Sequence, residues 1–158
     1  MKRLYGRSAK GLRVGDDKPA GRWKTTTMVA AIGLRGVASA MVTPAAINSI
    51  TFLGFVEEFL APELRRGDVV VMDNLAVHKV KGVAEAIHAA GAELLYLPPY
   101  SPDLNPIEMA WSKAKTLLRA DPQPTFHRLA NAIGRALSAI TKDDCYGYFR
   151  ACGYATTT

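Results

Sequence analysis

Little in this chain of 158 residues points to a membrane or to an oxidising compartment. No run of about 18 apolar residues occurs, so no membrane-spanning helix is expected. The N-terminus is basic, but no apolar core follows it, so secretion is not expected either. Cysteine is scarce. Cys145 and Cys152 stand near the C-terminus at a spacing that matches no CxxC zinc or redox motif. Two semi-buried thiols in a reducing cytosol are the expectation. Internal repeats and low-complexity stretches are missing. Charged residues are only 22% of the chain, which excludes a disordered polyelectrolyte.

Apolar residues make up 49% of the sequence, enough for the core of one domain. The net charge is +6, and its placement is uneven. Residues 1–24 hold eight basic side chains (Lys2, Arg3, Arg7, Lys10, Arg13, Lys18, Arg22 and Lys24) against Asp16 and Asp17. That segment therefore carries the whole excess, and residues 25–158 balance. A basic arm over 1–24 ahead of a neutral domain over 25–158 suits contact with a phosphate backbone, or is simply a solvated leader.

Residues 25–34 are β-branched and apolar, Arg35-Gly36 offers a turn, and Val37 to Thr43 extends again, so a hairpin is expected. Asn48 can cap a helix to about Leu60, with Phe52, Phe55, Val56 and Phe59 at helical spacing. Asp68 to Met72 reads as a strand buried on both faces, as does Glu93 to Leu97. Between them a helix is expected from Val80 to Ala90, stopped by Gly91. A Pro-rich loop, 98–106, leads into a strong helix to about Arg119. Further helices are expected over Pro124 to Ile140 and Lys142 to Arg150, the last with a Thr141/Asp144 capping box. The order predicts an α/β layered fold with mixed strand pairing.

Asp73 follows the strand at 69–72. A carboxylate there sits where open α/β sheets place ligands, although Asp-Asn also starts turns. Glu108 lies near the start of the strongest helix. On a helical wheel Ser112, Lys115 and Arg119 fall within about 40° of it. Ile107, Ala110, Trp111, Ala114, Leu117 and Leu118 form the opposite, core-facing side. A carboxylate beside cations is what a metal site facing a phosphodiester needs. Asn105 as N-cap, Pro106 as first helical residue and Glu108 two further on also fit a capping box, and the two roles are compatible. His78 is a polar residue at the start of a helix, or a contact to a phosphate or carboxylate. His88 and His127 are expected on the surface.

The segment from Val69 to Glu108 is more specific. It reads VVVMDNLAVHK and then LLYLPPYSPDLNPIE. This closely resembles the signature of DDE transposases of the mariner-like superfamily, in particular the bacterial insertion-sequence branch. Asp73, Asn74 and His78 match its strand-end motif. Pro99, Tyr100, Ser101, Pro102, Asp103, Leu104, Asn105, Pro106, Ile107 and Glu108 match its Pro-rich loop and helix start. The 34 residues between Asp73 and Glu108 are the spacing typical of the group. Leu4-Tyr5-Gly6-Arg7, Trp23-Lys24-Thr25 and the stretch from Tyr148 to Tyr154 extend the likeness over essentially the whole chain.

The resemblance implies a ribonuclease-H-like mixed sheet flanked by helices and metal-dependent DNA cleavage and strand transfer. It implies Asp73 and Glu108 as catalytic metal ligands, with Asn74, His78 and Asn105 in support. Two Mg²⁺ or Mn²⁺ ions are expected in a complete site. Arg22, Lys24, Ser112, Lys115 and Arg119 are expected DNA contacts. Double-stranded DNA, both element ends and target, is the expected partner, with a homodimer to join two ends and no membrane. A cytoplasmic, nucleoid-associated location in a bacterium follows.

One feature departs from the family. Its first aspartate ends a central first strand just ahead of the Leu-Tyr-Gly-Arg region, so here it would precede Met1. No apolar strand precedes Asp16 or Asp17 that would let either substitute. The expectation is a catalytic domain lacking that strand and inactive or impaired as written. A late start codon, a separate reading frame and a decayed element all fit. The alternative is a non-catalytic DNA-binding or dimerising remnant that modulates a full-length transposase.

Overall fold

The computed structural model describes residues 25–121 and 125–154. The basic arm at 1–24, with Arg22 and Lys24, lies outside the described residues. The chain opens with strands β1 (Thr27–Gly33) and β2 (Gly36–Thr43), antiparallel, with a register shift between Ala31 and Ile32. Both faces of the hairpin are used. Met28, Ile32, Ala40 and Val42 pack on one apolar cluster, and Val29, Ala31 and Met41 on another.

Helix α1 (Ser49–Phe55) follows, with Asn48 Oδ1 accepting from the Thr51 N–H at 2.9 Å, so the expected cap forms. It widens into a π-turn, Val56–Leu60, and a 3-10 turn, Ala61–Glu63. Phe52, Phe55, Val56 and Leu60 are buried. Phe59, which shares their spacing in sequence, is 42% exposed because the π-turn changes the angular step.

Strand β3 (Val69–Met72) pairs in parallel with β4 (Glu93–Tyr96). The crossover between them carries helix α2 (Val83–Ala89), whose Val83 and Ile87 are fully buried. The helix starts three residues later than its sequence pattern suggests. Gly82 has φ 104, which no helix contains, and its N–H donates to Glu85 Oε2 at 2.7 Å. Gly91, at φ 81, stops the helix as expected. The strands are not buried on both faces: Val69 is 54% and Leu95 52% exposed. Helices α1 and α2 cover one face of this pair, and among the described residues the other is left partly open.

Three helices complete the fold: α3 (Ile107–Ala120), α4 (Phe126–Ser138) and α5 (Lys142–Ala151). Ala110, Ala114 and Leu118 of α3 are buried against Ala132, Ile133, Ala136 and Leu137 of α4 and Cys145 of α5. Leu117, expected on that face, is 41% exposed at its edge. Cys145 and Cys152 are both buried and unpaired. Thr141 and Asp144 form the expected capping box on α5. Lys113 of α3 reaches Asp144 Oδ2 at 2.5 Å, tying α3 to the start of α5.

The described strands thus form two separate two-stranded sheets, β1-β2 and β3-β4. Each of the four strands therefore has one edge with no strand partner among the described residues. No helix in the described residues is long and apolar enough to cross a membrane.

Candidate active site

Asp73 leaves β3 one residue past its end. The Leu97 N–H donates to the Met72 carbonyl at 2.8 Å and closes the parallel ladder just before it. Its Oδ1 accepts the Leu75 N–H at 3.0 Å and lies 2.7 Å from His78 Nδ1. The turn reading and the site reading of Asp73 thus describe the same oxygen.

His78 is more than a polar residue at a helix start. It sits in a 3-10 turn, Ala76–Lys79, with its ring 4.5 Å from the Phe52 ring and its side chain 18% exposed. The Tyr96 hydroxyl donates to the His78 carbonyl at 2.8 Å, and burial pushes that phenol up from its ordinary pKa. The ammonium of Lys79 lies 5.6 Å above the Tyr96 ring. Asn74 Nδ2 donates to the Leu97 carbonyl at 2.6 Å. Two bonds, from Asn74 and to His78, therefore clamp the segment after Asp73 onto the end of β4.

Glu108 is the second residue of α3, and its N–H donates to the Asn105 carbonyl at 3.1 Å. The capping box expected of Asn105 does not form. Pro106 already has helical φ and ψ (−57°, −28°) and takes the cap position, and no side chain caps the helix. Asn105 closes a preceding 3-10 turn, Pro102–Leu104, by donating its N–H to the Pro102 carbonyl at 3.1 Å. Its backbone carbonyl, not its side chain, satisfies Glu108. The Glu108 carboxylate is therefore not folded back on the helix. It is exposed, and none of the described residues hydrogen-bonds to it. Ser112, Lys115 and Arg119 are exposed on the same stripe of α3.

Asp73, Asn105 and Glu108 border one cavity of about 1110 Å³, together with Trp111, Phe149 and Tyr154. The Tyr154 hydroxyl donates to the Leu104 carbonyl at 2.8 Å, tying the C-terminal segment to the Pro-rich loop. Among the described residues no three His, Cys, Asp or Glu side chains gather into a metal-binding group. Asp73 and Glu108 bring carboxylate oxygens to this cavity, the type that hard divalent cations prefer. Sequence reasoning missed the Phe52 and Tyr96 supports of His78. Helical spacing at Phe52 does not mark a ring contact 26 positions later.

The sequence matches the DDE superfamily endonuclease family over residues 1–130. The chain belongs to that family. Solved structures agree on the fold of this DDE-family chain. It is similar to the Mos1 transposase paired-end complex with left transposon end, with a TM-score of 0.74 at 18% identity. That match covers 96% of this chain and 46% of the other. The Mos1 mariner paired-end complex with Mn gives 0.73 at 17% identity, covering 96% and 47%. The Mos1 transposase catalytic domain with Raltegravir and Mn gives 0.66 at 16%, covering 82% and 69%. The fold is the ribonuclease-H-like α/β fold of that catalytic domain. The DDE-family chain spans about half the length of the Mos1 transposase chains in the paired-end complexes. No curated protein matches it.

Proposed function

We propose that this chain is the catalytic part of a transposase that hydrolyses a phosphodiester at an element end and then joins the freed 3′-hydroxyl to target DNA. The observation that carries the reading is that Asp73 and Glu108, with 34 residues between them in sequence, border one cavity within a DDE endonuclease fold.

In this reading Asp73 and Glu108 would hold divalent cations, Mg²⁺ or Mn²⁺. The ions would supply Lewis-acid stabilisation of the attacking and leaving oxygens. His78 orients Asp73 through its Nδ1, which lies 2.7 Å from Oδ1. Asn74 fixes the chain behind Asp73 to β4. Lys115 and Arg119 meet the phosphates of double-stranded DNA along the exposed stripe of α3, with Ser112 between them and Glu108. Arg22 and Lys24 of the basic arm add sequence-independent attraction. A dimer would bring two element ends together. Full activity requires a third carboxylate on a strand beside β3, which in this family precedes the Leu4–Arg7 region.

The deciding experiment is cleavage of a labelled element-end duplex with Mg²⁺ or Mn²⁺, by the 158-residue chain and by a longer chain carrying a strand that ends in Asp. The expected result is cleavage by the longer chain and little or none by the shorter. No metal-dependent cleavage by either contradicts the proposal. Among the described residues no three His, Cys, Asp or Glu side chains gather into a metal-binding group, which also suits the second reading, a DNA-binding remnant that modulates a complete transposase. Salt-sensitive DNA binding without cleavage in both chains supports that reading instead.

A further inference from the structure

Two contacts fasten α3 and the loop before it to α5. Lys113 of α3 reaches Asp144 at the start of α5. Past the end of α5, the Tyr154 hydroxyl donates to the Leu104 carbonyl at 2.8 Å. The contacts fall in opposite order along the two segments, so the segments run antiparallel. Lys113 stands nine positions after Leu104, and Tyr154 ten after Asp144. With nearly equal spacing on both sides, α3 cannot slide along α5 without breaking one contact.

The position of Tyr154 is set locally. The Gly153 N–H donates to the Arg150 carbonyl at 3.1 Å and the Tyr154 N–H to the Phe149 carbonyl at 3.0 Å, with Gly153 at φ 83. These bonds close the end of α5 in a left-handed turn, and an apolar contact commonly accompanies such a turn. Here it is made by the Phe149 and Tyr154 rings, 5.6 Å apart and edge-on. That contact needs only the ring, yet the hydroxyl bonds a carbonyl 50 positions away.

The carbonyl it bonds lies four positions before Glu108. Between them the Asn105 N–H donates to the Pro102 carbonyl and the Glu108 N–H to the Asn105 carbonyl, both at 3.1 Å. Both bonds are internal to the loop and first turn, and no side chain caps α3. An uncapped helix end frays readily. The Tyr154 hydroxyl ties this stretch to a distant element instead, and Tyr154, Asn105 and Glu108 border the same cavity.

We propose that Tyr154 is a positioning residue for Glu108. Its hydroxyl, aimed by the turn at Gly153 and the Phe149 ring, latches the end of the Pro-rich loop to α5. The latch fixes where α3 begins, and so where the Glu108 carboxylate meets the cavity. The consequence for metal binding rests on the metal-ligand reading above, and the latch does not.

The test is amide hydrogen exchange, followed by nuclear magnetic resonance, on the 158-residue chain and its Tyr154→Phe variant. That variant keeps the ring on Phe149 and removes only the donor. Exchange at Asn105 and Glu108 is expected to accelerate about threefold or more, the worth of one modest hydrogen bond. The Glu93 and Leu97 amides, bonded to Asp68 and Met72 carbonyls, should not change. Unchanged exchange at Asn105 and Glu108 overturns the proposal. Equal acceleration at Glu93 and Leu97 also overturns it, because the hydroxyl would then serve general stability alone. Mn²⁺ titration of the same two proteins and of Glu108→Gln adds a second readout. Weaker Mn²⁺ binding in both variants is expected. A loss in Glu108→Gln with none in Tyr154→Phe overturns the positioning role. No effect of Glu108→Gln removes the metal-ligand reading instead, and the exchange result then decides the latch.

Discussion

His78 holds its Nδ1 2.7 Å from Asp73 Oδ1 while its ring rests 4.5 Å from that of Phe52. An aromatic wall thus aims an imidazole at a carboxylate, and the carboxylate is fixed in turn. Outer partners of this kind typically change metal affinity by about 10- to 100-fold when removed. His78→Ala is expected to weaken Mn²⁺ binding by about tenfold or more, with the far-ultraviolet circular dichroism unchanged. Manganese titration followed by electron paramagnetic resonance measures this. Unchanged affinity removes His78 from the site.

Asn74 makes a different kind of contribution. Its 2.6 Å bond to the Leu97 carbonyl joins the ends of β3 and β4. Asn74→Ala is expected to cost about 1–2 kcal/mol in urea unfolding, the usual penalty for a lost, partly buried hydrogen bond. Asn74→Asp should cost more, since a carboxylate cannot donate to that carbonyl and would repel it. A neutral Asp substitution would mean that the bond does not form in solution.

Acid sensitivity should concentrate at the α3–α5 junction. The Lys113 ammonium first, and then the backbone and hydroxyl of Thr141, hold the Asp144 carboxyl at about 2, below its ordinary 3.8. A depressed folded-state value means that the stabilisation is present above pH 3.8 and is lost as pH falls toward 2. The same contact raises Lys113 above its ordinary 10.5, so its share holds below that pH and fades above it. Asp144→Asn is expected to lower Tm near neutral pH and to flatten the Tm decline between pH 3.8 and 2. A parallel decline in the variant would assign acid unfolding to other carboxylates.

The two faces of the β3-β4 pair should respond unequally. Ile87 of α2 is fully buried against one face, and Ile87→Ala is expected to cost about 2–5 kcal/mol. Leu95 on the other is 52% exposed, and Leu95→Ala should change stability by only about 0.5 kcal/mol. Chemical denaturation of both variants checks the contrast. A large loss at Leu95 would mean that something covers the open face.

Much of this fold is written in local patterns. The apolar run at Val69–Met72, the Asn48 and Thr141 caps and the Gly91 stop each follow from residues within a few positions of one another. Asp73 and Glu108 stand out in the sequence because a run of adjacent residues in the Pro-rich loop carries the family likeness. What escaped depends on distance in sequence or on a competing local geometry. The helix start at Val83 was decided by Gly82, whose left-handed backbone no periodicity reveals. The Asn105 cap lost to Pro106, which is itself pre-set for the helix and leaves the asparagine side chain one residue too early. Exposure at Val69 and Leu95 depends on which strands and helices lie beside them, and a short apolar run reads the same whether one face is covered or both.

Whether Asp73 and Glu108 together hold the metal for DNA cleavage is tested most directly by the longer chain, carrying a strand that ends in Asp, and its Asp73→Asn and Glu108→Gln variants on a labelled element-end duplex with Mg²⁺. Cleavage by the parent and none by either variant is expected, with duplex binding retained by all three. Full cleavage by either variant would contradict it.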